Sequence, residues 1–115
     1  MANTFKVVTK AGVTSEDIIY TVASSTTTVI LGLVLGNTTS SQTTVTVTLS
    51  SNTSNRAGGN DEANQYVELV TNAPIPAGSS LEMLAGNKVV METTDLLKVT
   101  GSGATDVCLS IMEIT

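Results

Sequence analysis

A chain of 115 residues that is 41% hydrophobic but 3% aromatic, with no tryptophan and no histidine, must build its core from Val, Leu, Ile and Met, and a domain of this length hides roughly two-thirds of the surface its unfolded chain exposes. The formal net charge of −5 includes five scattered bases, Lys6, Lys10, Arg56, Lys88 and Lys98, which form no basic run and argue against nucleic-acid binding. Charged residues are 13% of the chain, about half the usual ~25%, so uncharged Thr, Ser and Asn must cover the surface, a composition suited to life inside an assembly.

Taken in chain order, the N-terminus Met1-Ala-Asn-Thr-Phe-Lys-Val-Val8 has no basic segment leading into a long apolar run, so no secretory signal is expected. Phe5 to Val8, Ile18 to Val22 and Thr28 to Leu35 are strand-like runs rich in β-branched residues. Within the third, Val29 to Leu35 is the most apolar stretch, far short of the ~20 residues that cross a bilayer, and no membrane span is expected. Thr43 to Leu49 alternates strictly, which puts Val45, Val47 and Leu49 on a core face and Thr44, Thr46 and Thr48 on a wet one.

A polar stretch of about sixteen residues, 50 to 65, follows. Connections of that length are usually functional, so its Asn55, Arg56, Asn60, Asp61 and Glu62 are the candidate partner-contact residues. After Tyr66 to Val70 comes a block with three short apolar runs between turn signals: Leu81 to Leu84, Val89 to Met91, and Leu96 to Val99. Its Ala85-Gly86-Asn87 and Thr93-Thr94-Asp95 punctuation predicts a β-meander. The last run, Asp106 to Ile114, alternates Val107, Leu109 and Ile111 with Cys108, Ser110 and Met112. Both of its sides are fairly apolar, which predicts a central strand or one covered by a neighbouring subunit.

Together these give eight or nine strands at regular spacing, with no connection long enough for a crossover helix and no internal repeat. The expected fold is all-β, a single antiparallel β-sandwich over residues 1–115 of jelly-roll or immunoglobulin-like type, without significant helix.

The same residues exclude most chemistry. Without histidine there is no Ser-His-Asp triad, Cys-His pair or His-based zinc site, and a lone cysteine builds neither a disulfide within the chain nor a thiolate metal cage. Cys108, between Val107 and Leu109, reads as a buried inert thiol. Asp61 and Glu62 follow Gly58-Gly59-Asn60, yet their spacing matches no calcium loop, and solvated acids are the simpler reading. Glu82, Glu92 and Asp95 would need aromatic platforms and a cleft to act as a glycosidase pair; pairing with Lys88 or Lys98 across strands accounts for them better. Asn37-Thr-Thr39 and Asn52-Thr-Ser54 match the short glycosylation pattern, which means little without a signal peptide. No phosphate-binding loop is present. No catalytic residue, cofactor or metal is expected.

The block from Asn72 to Val99, opening Asn-Ala-Pro-Ile-Pro-Ala-Gly-Ser-Ser, resembles small virion structural proteins of tailed bacteriophages, those infecting cyanobacteria in particular. The resemblance extends to Met1-Ala-Asn-Thr-Phe-Lys6, to Ile19 to Val22, to Asn37 to Thr39 and to Leu109 to Thr115. Where this chain has residues 50 to 65 the family often has a shorter link. Pro74, Pro76 and Gly78 serve as a stiff lead-in to a sheet edge. The resemblance implies a non-enzymatic virion component, made in the cytoplasm of a bacterial host and partnered by a major capsid protein or tail components. Capsid decoration, a small homo-oligomeric domain docking many times on the head lattice, is the first expectation. A tail, fibre or baseplate accessory protein is the second. A carbohydrate-binding host-recognition module is a further alternative, with Tyr20 and Tyr66 as its available rings.

Overall fold

The computed structural model describes residues 2–51, 65–83 and 88–115. Nine strands follow one another along the described chain: β1 (Asn3–Val13), β2 (Glu16–Thr21), β3 (Thr27–Asn37), β4 (Thr43–Ser51), β5 (Gln65–Ile75), β6 (Ser80–Met83), β7 (Val89–Met91), β8 (Leu96–Gly101) and β9 (Thr105–Ile114). Each predicted run becomes a strand. Of the predicted loop 50–65, the described ends are strand: Ser50 and Ser51 close β4 and Gln65 opens β5, with Ser51 opposite Gln65 and Ser50 opposite Tyr66.

Two antiparallel sheets face each other. The first has the order β1-β9-β3-β6, with β7 also paired to β3; the second has the order β2-β8-β4-β5. Short β6 and β7 lie end to end along β3, Leu33 to Gly36 pairing with the first and Thr28 to Ile30 with the second, and so act as one interrupted strand. Counted that way, first pairs with last, second with next to last, and so inward, which is the doubly folded hairpin of a jelly roll.

The predicted meander is corrected by this pairing. The strands β6 and β7 share β3 as partner, and β8 belongs to the opposite sheet between β2 and β4. Turn signals told where the strands stop but not which neighbour each one meets. The Ala85-Gly86-Asn87 turn lies outside the described residues. Gly78, at φ +67, does serve the tight turn after Pro76, closed by Ser79 N–H donating to the Pro76 carbonyl at 3.1 Å.

Alternation sorts each strand into an inner and an outer side. On the first sheet Ile30, Leu33 and Leu35 of β3 and Val107, Leu109 and Ile111 of β9 point inward; on the second, Val45, Val47, Leu97 and Val99 meet them. Leu49 and Val8 are partly buried against that core. Polar side chains clasp the sheets together at both ends of β3. At its far end Asn37 is buried, its amide donating to the carbonyls of Ser41 (2.8 Å), Ile75 (2.9 Å) and Pro76 (3.2 Å) while its oxygen accepts from the Thr39 amide and hydroxyl. At the near end Tyr20 of β2 reaches Thr28 and Glu113 of the first sheet.

Candidate assembly surface

The strand β1 is an edge with unusual exposure. It pairs with β9 along an unbroken register from Asn3 opposite Ile114 to Lys10 opposite Val107, and Ala2 and Thr115 extend that ladder with two backbone bonds. Among the described residues no strand lies on its other side. Phe5 is 72% exposed and Val7 62%.

The remaining sheet edges carry devices that discourage strand addition. Six-residue β2 is interrupted by a register shift between Ile18 and Tyr20. In β5 the pairing shifts around Val47, Asn72 sits at φ 49, and Pro74 lacks an amide hydrogen. The strands β6 and β7 are four and three residues long. Edge lysines usually serve the same purpose, and β1 has Lys6 and Lys10. Lys6, however, is tied to Glu113 at 2.7 Å.

That ion pair belongs to the near-end clasp. The Tyr20 hydroxyl donates to Glu113 and, its one proton so committed, accepts from the Thr28 hydroxyl at 2.8 Å. Burial first, then the bond to Glu113, pushes the Tyr20 phenol up to about 12. The hydrogen bond from Lys6, seconded by that from Tyr20, holds the Glu113 carboxyl below its ordinary range.

On the outside of the second sheet, Glu16, Thr48, Tyr66, Glu68 and Lys98 line an open groove of about 520 Å³. The Lys98 ammonium stands 5.3 Å from the Tyr66 ring centre, and Glu68 accepts from the Thr71 hydroxyl at 2.7 Å. The groove thus offers one ring with a cation already over it. Tyr20, the other ring proposed for a sugar platform, is committed to the clasp between the sheets.

Several sequence expectations meet the structure here. The candidate contact residues Asn55, Arg56, Asn60, Asp61 and Glu62, and the Asn52-Thr-Ser54 pattern, lie outside the described residues. Cys108 is exposed, which corrects the buried reading: the alternation that buries Val107 and Leu109 turns the residue between them outward. Glu82 stands opposite Val34 on the outer side of the first sheet, while Asp95 is buried and accepts from the Glu92 amide. Glu92 accepts from the Thr27 hydroxyl. Lys98, one of the two lysines expected as cross-strand partners of these acids, lies over Tyr66. Asn37, read as part of a weak glycosylation pattern, is a structural amide with every polar atom used.

No protein family and no curated protein matches this chain. A solved structure similar over 96% of this chain and 85% of its own is a Bacillus endospore appendage protein, from a family of disulfide-linked pili, at 16% identity and a TM-score of 0.45. The expectation of a capsid-decoration protein on a phage head is corrected by this likeness, which is to a pilus protein. Among the described residues no helix is long and apolar enough to cross a membrane.

Proposed function

We propose that this chain is a non-enzymatic structural subunit that assembles with copies of itself into a fibre- or pilus-like appendage. The observation that carries the reading is the open edge of β1, a continuous ladder with one satisfied side and one that meets no strand among the described residues, lacking in residues 3–10 the bulges and prolines that protect the other edges. Strand addition at such an edge satisfies backbone donors and acceptors and needs no particular side-chain chemistry. The sparse charge and the absence of histidine fit a building block better than a catalyst.

Light scattering and electron microscopy of the purified protein across micromolar to millimolar concentration test this. Oligomers or fibres that dissociate in a Val7→Pro variant are expected, since proline at a pairing edge removes a donor. A wild-type protein that stays monomeric throughout overturns the reading. So does assembly that Val7→Pro leaves intact while that variant retains its fold.

A further inference from the structure

The outer face of the first sheet carries an apolar row that crosses four strands. Phe5 of β1 stands opposite Met112 of β9, Met112 opposite Val29 of β3, and Val29 opposite Val90 of β7. Directly opposed residues share a face, so these four side chains form one line, perpendicular to the strands, on the side away from the core. The next row reads Val7, Ser110 and Gly32, and the third reads Thr9, Cys108, Val34 and Glu82. Asp106, Gly36 and Ser80 make the fourth.

Charge is absent from the paired positions of the first two rows; Glu82 and Asp106 lie in the rows farthest from Phe5, Glu92, held by the Thr27 hydroxyl, lies just past the first row on its other side, and exposed Lys88 stands two residues from Val90. Val90 is 57% exposed and Val34 39%. At Gly32 a side chain would meet nothing within 4 Å, so the second row has open space beside Ser110, two strands in from Val7. A single-subunit β-sandwich normally wets this side with Thr, Lys and Glu, as the second sheet here does.

We propose that this face is a second self-association surface, covered in the assembly by the same face of another copy. The contact rests on the reading of the chain as a self-assembling subunit but is separate from the β1 edge, because an edge partner lies beside the sheet and a face partner lies on it. The area supports a second copy as the occupant. Four strands at a spacing of about 4.8 Å and a ladder of roughly ten residues at about 3.4 Å each give about 650 Å² per subunit, or about 1,300 Å² for the pair, at the lower end of what specific interfaces bury. An apolar centre with acids at the margin is the anatomy of such an interface. A two-fold face contact closes on itself, and so does a β1-to-β1 edge contact; alternating them yields an open chain.

Cys108 is a native reporter for the contact. It lies on this face, two rows from Phe5 and one strand in from the edge, where strand addition at β1 leaves it uncovered. Alkylation by a small maleimide is measured on dilute and on concentrated wild-type protein, with mass recorded in parallel, and repeated on Val90→Lys. Where roughly nine-tenths of the subunits are paired, the reaction is expected to slow by about tenfold. Val90→Lys, an exposed position whose side chain does not touch Cys108's row, is expected to melt at the wild-type temperature, to restore fast alkylation and to form smaller assemblies. Assembly with unchanged Cys108 reactivity overturns the face contact and leaves edge assembly standing. Protection that persists in Val90→Lys also overturns it. A monomer at every concentration overturns both.

Discussion

The outer sides of the two sheets are built on the same alternating backbone and differ in what they present. On the second sheet the outer rows are Glu16, Thr100 and Thr46, then Ile18, Lys98, Thr48 and Glu68, then Thr21, Leu96, Ser50 and Tyr66, a mostly polar side on which Ile18 and Tyr66 are exposed. On the first sheet the corresponding rows run Phe5, Met112, Val29, Val90 and then Val7, Ser110, Gly32. One β-sandwich therefore has one mostly polar outer side and one that carries a row of apolar side chains across four strands. Burial in the core cannot be the reason for the apolar residues on the first sheet, since the inner positions between them already fill it. On the proposal made above, their cause is a second copy laid over that face.

The sharpest way to break this comparison is to separate inside from outside at neighbouring positions of β9. Leu109, fully buried between the sheets, is expected to cost about 3 to 4 kcal/mol on truncation to alanine, from lost transfer energy and the cavity left behind. Cys108→Ala, one residue away on the outer side, is expected to stay within about 0.5 kcal/mol. Urea unfolding of the two variants measures both, and comparable losses would mean that the sides of β9 are misassigned.

Next in size is the clasp at the far end of β3. Asn37→Ala strips partners from the carbonyls of Ser41, Ile75 and Pro76 and from the Thr39 amide, and a loss of about 2 to 3 kcal/mol is expected. Asn37→Asp restores the acceptor but sets a carboxylate against three carbonyls, so it is expected to be no better than alanine. If Asp recovers most of the stability, the bond to Thr39 matters and the tie between the sheets does not.

The strand positions were legible from sequence because period-two alternation, β-branched residues and turn signals are local. Val45 and Val47 face the core and Thr44, Thr46 and Thr48 face outward, as their alternation requires. Strand partners were not legible. Nothing within residues 81–99 announces that two of its runs share β3 and that the third crosses to the other sheet, because pairing is decided by residues distant in sequence. The exposed row was half visible: Cys108 and Met112 marked β9 as apolar on both sides, but only register brings Phe5, Val29 and Val90 into line with it. Asn37 was hidden by its type, since Asn before Thr-Thr reads equally as a turn and as a buried amide knot. The candidate contacts between Asn55 and Glu62 rested on loop length and polarity, which say nothing of geometry.

At the near end, the clasp makes stability depend on pH in two windows. Glu113 has a lowered pKa in the fold, so its contribution is full above the ordinary carboxylate value of about 4.3 and is lost as pH falls through the lower, folded one. Tyr20 has a raised one, about 12 against 10; its contribution is full below 10 and is lost as pH climbs from 10 through 12. Glu113→Gln is expected to flatten the acid limb of a melting-temperature profile. Tyr20→Phe should flatten the alkaline limb and leave the acid one steeper than in Glu113→Gln. An unchanged acid limb in Glu113→Gln would assign it to other carboxylates.

The smallest expected effect is a gain, and it concerns the second sheet. Thr43, the first residue of β4, is buried, and its hydroxyl has no hydrogen-bond partner among the described residues. Its methyl group packs so close to Gly103 that a Cβ there would lie 2.6 Å from it. Valine keeps that methyl, keeps the β-branched shape and removes the stranded hydroxyl, so Thr43→Val should stabilise the fold by about 1 kcal/mol. Thr48→Val, on the outer side of the same strand, should change stability little, because water already serves that hydroxyl. A loss at Thr43 would mean that the hydroxyl finds a bond in solution. A gain at Thr43 with none at Thr48 would show that threonine in this strand has two meanings, a polar covering outside and a tolerated misfit within.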